Sequence, residues 1–212
     1  VIGVTSGTLT EGNVAPGSLT FTPANWSVSR TVTVTGQDDF SVDGSVAYTI
    51  VVAPAVSSDP NYSGSDGADV SATNTDDDVA GITVNPVAGL VTTEAGGTDV
   101  FTVHLTSRPS AYVVIPVASN NVAEGTATPS TLTFTSVNWN VDQTVTVTGV
   151  DEAVQDGDVS YLVVVDPATS TDTDYSGFDA ADVAVTNSDD DAANITLSPL
   201  AGLITTEAGG TA

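Results

Sequence analysis

The residues of this chain that can do chemistry are carboxylates, and they come in groups. The stretch "TNTDDDVAGITV" spans 73–84 and "TNSDDDAANITL" spans 186–197, so three adjacent aspartates twice separate two strand-like segments. Three neighbouring carboxylates repel one another and gain nothing from one another's company. Other acids precede the second run, at Glu94, Glu124, Asp151, Glu152 and Asp156, and the run itself is Asp189, Asp190 and Asp191. The first run closes an equivalent set made of Glu11, Asp38, Asp39, Asp43, Asp76, Asp77 and Asp78. Such groups are suited to a hard divalent cation. Calcium takes six to eight oxygens, many of them from carboxylates, in flexible geometry. Each set offers enough oxygens for more than one ion. Metals that prefer thiolate or imidazole are poorly served, because the chain has no Cys and one His, His104. The plain alternative is a solvated acidic surface. Grouping and recurrence weigh against it, since solubility requires neither.

Composition narrows the partners. Of 212 residues, 27 are acidic and two are basic, Arg30 and Arg108, for a formal charge of −25. The chain lacks the cations that phosphate contacts need, so nucleic acid is excluded as an electrostatic partner. Anionic membrane surfaces repel it for the same reason. No apolar run is long enough to insert into a bilayer. High charge with few aromatics can signal disorder, but 40% hydrophobic residues in Val/Thr alternation point to a folded chain.

The elements that must position the acids recur with them. Residue i matches residue i+113 throughout. "GLVTTEAGGT" at 89–98 returns as "GLITTEAGGT" at 202–211, "TVTVTG" at 31–36 returns at 144–149, and "YSG" at 62–64 returns at 175–177. Residues 1–99 align with 114–212 without a gap, and 57 of the 99 positions are identical. That is the mark of a tandem array, and the unit is domain-sized. The expected division is a repeat at 1–79 lacking its N-terminal strands, a complete repeat at 80–192, and the start of a third at 193–212. The expected origin is a window cut from a longer array.

Seven strands are expected in the complete repeat: 81–87, 99–105, 112–118, 130–136, 143–149, 160–166 and 182–188. No helical period competes with them. In "TVTVTG", Val145 and Val147 face one way and Thr144, Thr146 and Thr148 the other. Gly, Pro, Asn and Asp interrupt the runs. Seven short strands in a unit of this size predict an all-β fold, a Greek-key β-sandwich. Phe134, Trp139 and Tyr161 are its expected core aromatics. The acids avoid strand centres and sit at loop ends, and in a sandwich alternate turns share a pole.

The pattern resembles the Calx-beta domain of sodium–calcium exchangers and large bacterial surface proteins. The resemblance rests on "TTEAGGT" after the first strand, "EGTA" and "LTFT" within 124–135, "TVTVTGVDEAVQDGDVSY" at 144–161, and the closing "DDD". It covers the whole unit and implies a seven-stranded sandwich holding several Ca²⁺ at one tip. The implied ligands are Glu94, Glu124, Asp151, Glu152, Asp156 and Asp189 to Asp191. In the first repeat they are Glu11, Asp38, Asp39, Asp43 and Asp76 to Asp78, and Glu207 would serve the third. Asp156 stands where the family usually has Glu, with a shorter reach.

Three functions remain open on the sequence. The leading one is a calcium-stiffened spacer in a long extracellular adhesin, stalk or filament. Only Val79 and Ala80 separate the first "DDD" from the next strand, so an ion there would fix the angle between neighbouring repeats. The partners would be those neighbours, with lateral or end-to-end pairing of chains into a fibre. The second is a glycan- or ice-binding adhesive module using rows such as Thr31, Thr33 and Thr35. The third is an enzyme; paired carboxylates can hydrolyse glycosides, but acids crowded at loop ends argue against a cleft, and the expectation is no enzymatic activity.

Overall fold

The computed structural model describes residues 1–211. They contain strands and no helix. In the order of the chain, the strands of the first part are β1 (Ile2–Ser6), β2 (Gly12–Ala15), β3 (Ser18–Leu19), β4 (Thr33–Gly36), β5 (Val46–Val52) and β6 (Val70–Asn74). They form a sheet ordered β3-β1-β5-β6 and a two-stranded sheet β2-β4. Nine strands follow: β7 (Ile82–Asn85), β8 (Leu90–Thr93), β9 (Thr98–Leu105), β10 (Val113–Ser119), β11 (Gly125–Thr128), β12 (Thr131–Phe134), β13 (Gln143–Gly149), β14 (Val159–Val165) and β15 (Val183–Ser188). These build a five-stranded sheet, β12-β10-β14-β15-β8, and a four-stranded sheet, β11-β13-β9-β7. The two sheets enclose one apolar core and make a β-sandwich.

Alternation fills that core. On β13, Val145 and Val147 are fully buried while the threonines between them reach the surface. Phe101, Val103 and Leu105 of β9 and Val113, Ile115 and Val117 of β10 repeat the pattern. Each such side chain contributes about 2 kcal/mol of burial. Phe134 and Tyr161 are core residues, as expected, whereas Trp139 is only partly buried against the core's edge. The first part buries far less, with Val4, Tyr48 and Ile50 as its apolar cluster.

Two strands were not among the seven expected, β8 and β11. Each arises because a run of strand residues changes sheets at a proline. Pro86 separates β7, paired with β9, from β8, which pairs in parallel with β15. Pro129 separates β11, paired with β13, from β12, paired with β10. Proline has no N–H to continue a ladder, so the break falls there. Past Pro86, Gly89 turns at φ 87°.

These switches place the acids. Thr93 at the end of β8 lies beside Ser188 at the end of β15, and the Glu94 N–H donates to the Ser188 carbonyl at 3.1 Å. Gly125 at the start of β11 opposes Gly149 at the end of β13, and the Val150 N–H donates to the Glu124 carbonyl at 3.0 Å. Four acid-bearing segments therefore emerge at one end of the sandwich. Gly149 makes the closure possible: a Cβ there would overlap the Thr93 carbonyl oxygen and crowd Asn187 Oδ1. Residues 189–211 add no strand, only an isolated bridge between Thr206 and Gly210.

Candidate metal centre

Glu94 lies at the middle of the acidic end of the larger sandwich. It is 2% exposed and belongs to three groups of carboxylates, within each of which one oxygen per residue lies within 4.8 Å of the others. The partners are Glu152 with Asp156, Asp151 with Asp190, and Asp189 with Asp191. Glu124 is 5% exposed and joins none of these groups, but it sits at the same end. Asn187 Nδ2 donates to its Oε2 at 3.5 Å.

The pole is charged without a counter-charge. Burial raises the Glu94 carboxyl above its ordinary range, a backbone bond from Asp190 opposes this, and the nearby Asp189, Asp191 and Glu152 add to the rise. Glu152 is raised by burial and then by Asp156 and Glu124. Asp191 is raised by burial and then by Asp189 and Asp151. Neither recorded ion pair among the described residues reaches this pole: His104 pairs with Asp142 and Arg108 with Asp39. Glu152 Oε1 and Asp191 Oδ2 are buried with no hydrogen-bond partner.

The first aspartate of the run does a different job from the others. Asp189 Oδ2 accepts the Gly157 N–H at 2.7 Å and Oδ1 accepts the Asp191 N–H at 2.8 Å. Asp76 does the same at the other pole, accepting from Gly44 at 2.8 Å and Asp78 at 2.9 Å. Those backbone bonds hold the Asp76 carboxyl below the ordinary range. Each of these residues pins the acidic loop across the pole to the end of the last strand.

The first part repeats the arrangement in looser form. Glu11, Asp39 and Asp43 form one group with oxygens within 4.8 Å. Asp38, Asp76, Asp77 and Asp78 line the same cleft without joining that group. Asp78 is raised by burial and then by Asp38, Asp76 and Asp77. The free volume of the cleft is about 20 Å³, on the scale of one water-sized sphere. Glu207 is exposed and joins no acidic group among the described residues.

Several positioning residues escape sequence reasoning. Asn187 is 1% exposed. Its Nδ2 donates to the Val150 carbonyl at 3.1 Å, and its Oδ1 accepts from Thr92 Oγ1 at 2.9 Å. It ties together the strand ends that carry Glu94, Asp151 and Asp189. Asn74 Nδ2 donates to the Gln37 carbonyl at 2.7 Å in the first part. The repeated "TN" before each "DDD" was the available signal. Asp158 Oδ1 accepts the Asp189 N–H at 3.2 Å, and Gln155 Oε1 accepts the Ala193 N–H at 2.9 Å.

No family model matches the chain. No curated protein matches it either. Among solved structures, the chain is similar over 52% of its length to the periplasmic chaperone SfaE, with 13% identity and a TM-score of 0.39. The aligned part covers 58% of that chaperone, so the chain spans little more than half of it. It is also similar over 50% of its length to WR4, a C. elegans MSP family member, with 15% identity, a TM-score of 0.32 and 95% of that chain covered.

The donor set suits calcium. It is all oxygen, it is crowded, and it sits on loops that can adjust to flexible coordination. The pole contains no imidazole or thiolate, since His104 lies on β9 with its Nδ1 2.8 Å from Asp142 Oδ1.

Proposed function

We propose that this chain is a calcium-binding structural repeat of a long extracellular adhesin, stalk or filament. Its repeats are seven-stranded Greek-key sandwiches in tandem, with two of the strands split at prolines. The observation that carries the reading is the pair of buried, unpartnered carboxylate oxygens on Glu152 and Asp191, beside the buried Glu94. Burying an unpaired carboxylate is costly unless a counter-ion is supplied, and the pole has none of its own. Glu94, Glu124, Asp151, Glu152, Asp156, Asp190 and Asp191 would hold the ions, with Asp189 fixing the loop and adding an oxygen. Glu11, Asp38, Asp39, Asp43, Asp77 and Asp78 would serve the first pole, with Asp76 in the pinning role. Calcium supplies the positive charge that lets these loops lie together, and the short connection at Val79–Ala80 sets the first pole beside the joint, which the bound ion stiffens further. Calcium at millimolar levels outside cells suits open, loop-built sites of this kind. The reading is of a spacer without catalytic activity.

Hydrogen exchange tests this at the larger sandwich's pole. In calcium, amides of 150–158 and 189–193 exchange at least about tenfold more slowly than in EDTA, while β9 and β13 are protected in both, because local opening is confined to elements with few apolar contacts. Equal protection at the pole in both buffers overturns the reading.

A further inference from the structure

The loop that carries Asp38, Asp39 and Asp43 also carries an aromatic ring with no place in its own sandwich. Phe40 is half-exposed and has φ 64°, the one positive value recorded for a non-glycine residue among those described. A bulky side chain rarely adopts that conformation, so something must hold it there. The Phe40 N–H donates to Asp38 Oδ1 at 3.3 Å within its own loop, whereas its ring and its carbonyl meet the following sandwich. The Phe40 ring packs on Trp139, with centroids 5.8 Å apart and planes at 41°, a tilted geometry favourable for aromatic pairs. The Phe40 carbonyl accepts the Arg108 N–H at 2.7 Å. The Arg108 guanidinium donates to Ser41 Oγ from Nε at 3.1 Å and Nη2 at 2.8 Å, and Nη2 lies 3.9 Å from Asp39 Oδ1.

The receiving side is rigid. Ser107, next to Arg108, is fully buried; its N–H and Oγ bond the hydroxyl of the buried Tyr175 at 3.1 and 2.8 Å, and that hydroxyl donates to the Ser107 carbonyl at 2.7 Å. The Trp139 carbonyl accepts the Leu105 N–H at 2.8 Å, which ties the indole's segment to the end of β9.

We propose that Phe40, Trp139 and Arg108 form a protein-only latch that fixes the orientation of the two sandwiches at this joint, independently of any bound cation. The latch goes beyond the calcium reading, because its ring contact and its hydrogen bonds to Phe40 and Ser41 use no ion, and only the long Arg108–Asp39 approach involves an acid of the first pole. It also distinguishes one joint from the next. The residue 113 positions after Phe40 is Ala153, and the one after Ser41 is Val154, so the pole of the second sandwich presents neither ring nor hydroxyl. Repeats of one array would then meet at joints of two kinds, one with this latch and one without it.

The test is a pair of spin labels on exposed strand and loop positions, Ser71→Cys and Ser130→Cys, in the full chain, read as a distance distribution in calcium and in EDTA. The variant is Phe40→Gly, which removes the ring while accepting the positive φ without strain, so it leaves the first sandwich folded. The latch predicts that the parent keeps a narrow distribution in EDTA and that Phe40→Gly in EDTA is at least about twofold broader. Parent and variant distributions of equal width in EDTA overturn it. Calcium binding to both proteins, measured on the same samples, reports separately on the cation reading: a narrow parent distribution in EDTA without any calcium binding retains the latch and removes the ion.

Discussion

Stripping calcium with EDTA lowers the melting temperature of this chain by more than about 10 °C relative to millimolar calcium. An ion present at 100 times its dissociation constant adds about 2.7 kcal/mol to the folded state, because it binds that state alone. In a domain of this size each kcal/mol moves the midpoint by roughly 4 °C. One ion accounts for the shift, and a second at the Glu94 pole enlarges it. On the cation reading, the charge balance is what weakens the metal-free form. Residues 80–192 carry 16 acids against Arg108 alone, a formal charge of −15, and eight of those acids crowd one pole. Differential scanning calorimetry in the two buffers measures the effect. Magnesium restores less of it, since a small ion that demands octahedral geometry and holds its water is served poorly by a wide, flexible acid cluster. Superimposed curves in EDTA and calcium contradict the cation reading.

Glu94→Gln changes stability with opposite signs in the two buffers. In EDTA it removes a buried carboxylate that three like charges oppose, so the melting temperature rises. In calcium it takes the charge and one oxygen from the carboxylate shared by the three groups at that pole, so affinity falls at least about tenfold and the melting temperature drops. A surface charge with only a solubility role gives the same sign in both. Acidification follows the same logic. Glu94, Glu152, Asp191 and Asp78 sit above the ordinary carboxylate range when folded. The folded state then takes up protons before the unfolded chain does. The metal-free protein gains stability as pH falls through those raised values toward about 4, the range of an unfolded carboxylate. With calcium, protons compete with the ion and stability falls over the same interval. Asp76 and Asp172 are held below the ordinary range, so what they contribute is present above about pH 4 and is lost below it in both buffers. Melting curves between pH 7 and pH 4 with and without calcium show whether the two slopes have opposite signs.

The sequence made some of this arrangement legible and hid the rest. β13 could be read from its residues because alternation of Val and Thr over the five positions 144–148 admits only one buried face. β8 and β11 could not: four residues between Gly89 and Glu94, or between Glu124 and Pro129, are too few to show a period. Yet these two strands bring Glu94 and Glu124 to the pole. The acids are grouped at loop ends in the sequence, and Glu94, Asp151, Glu152, Asp156 and Asp189 to Asp191 lie together at one end of the sandwich. The grouping did not distinguish Asp189, whose two oxygens pin a loop, from Asp191, whose Oδ2 is buried and unpartnered. That difference depends on backbone N–H directions, which residue type does not reveal. Asn187 was hidden for a related reason, because a buried amide is recognised by what surrounds it. Trp139 was expected in the core, but its ring lies at the sandwich's edge and meets Phe40 from the other sheet pair. Only the spatial closeness of two segments 99 residues apart shows why.

The most direct measurement is a calorimetric titration of calcium into the EDTA-stripped, dialysed full chain. Saturable binding is expected, with more than one ion per chain, lost selectively from one class of sites in Glu94→Gln and from another in Asp43→Asn. A titration that shows no saturable heat at millimolar calcium, with the chain folded by circular dichroism, contradicts it.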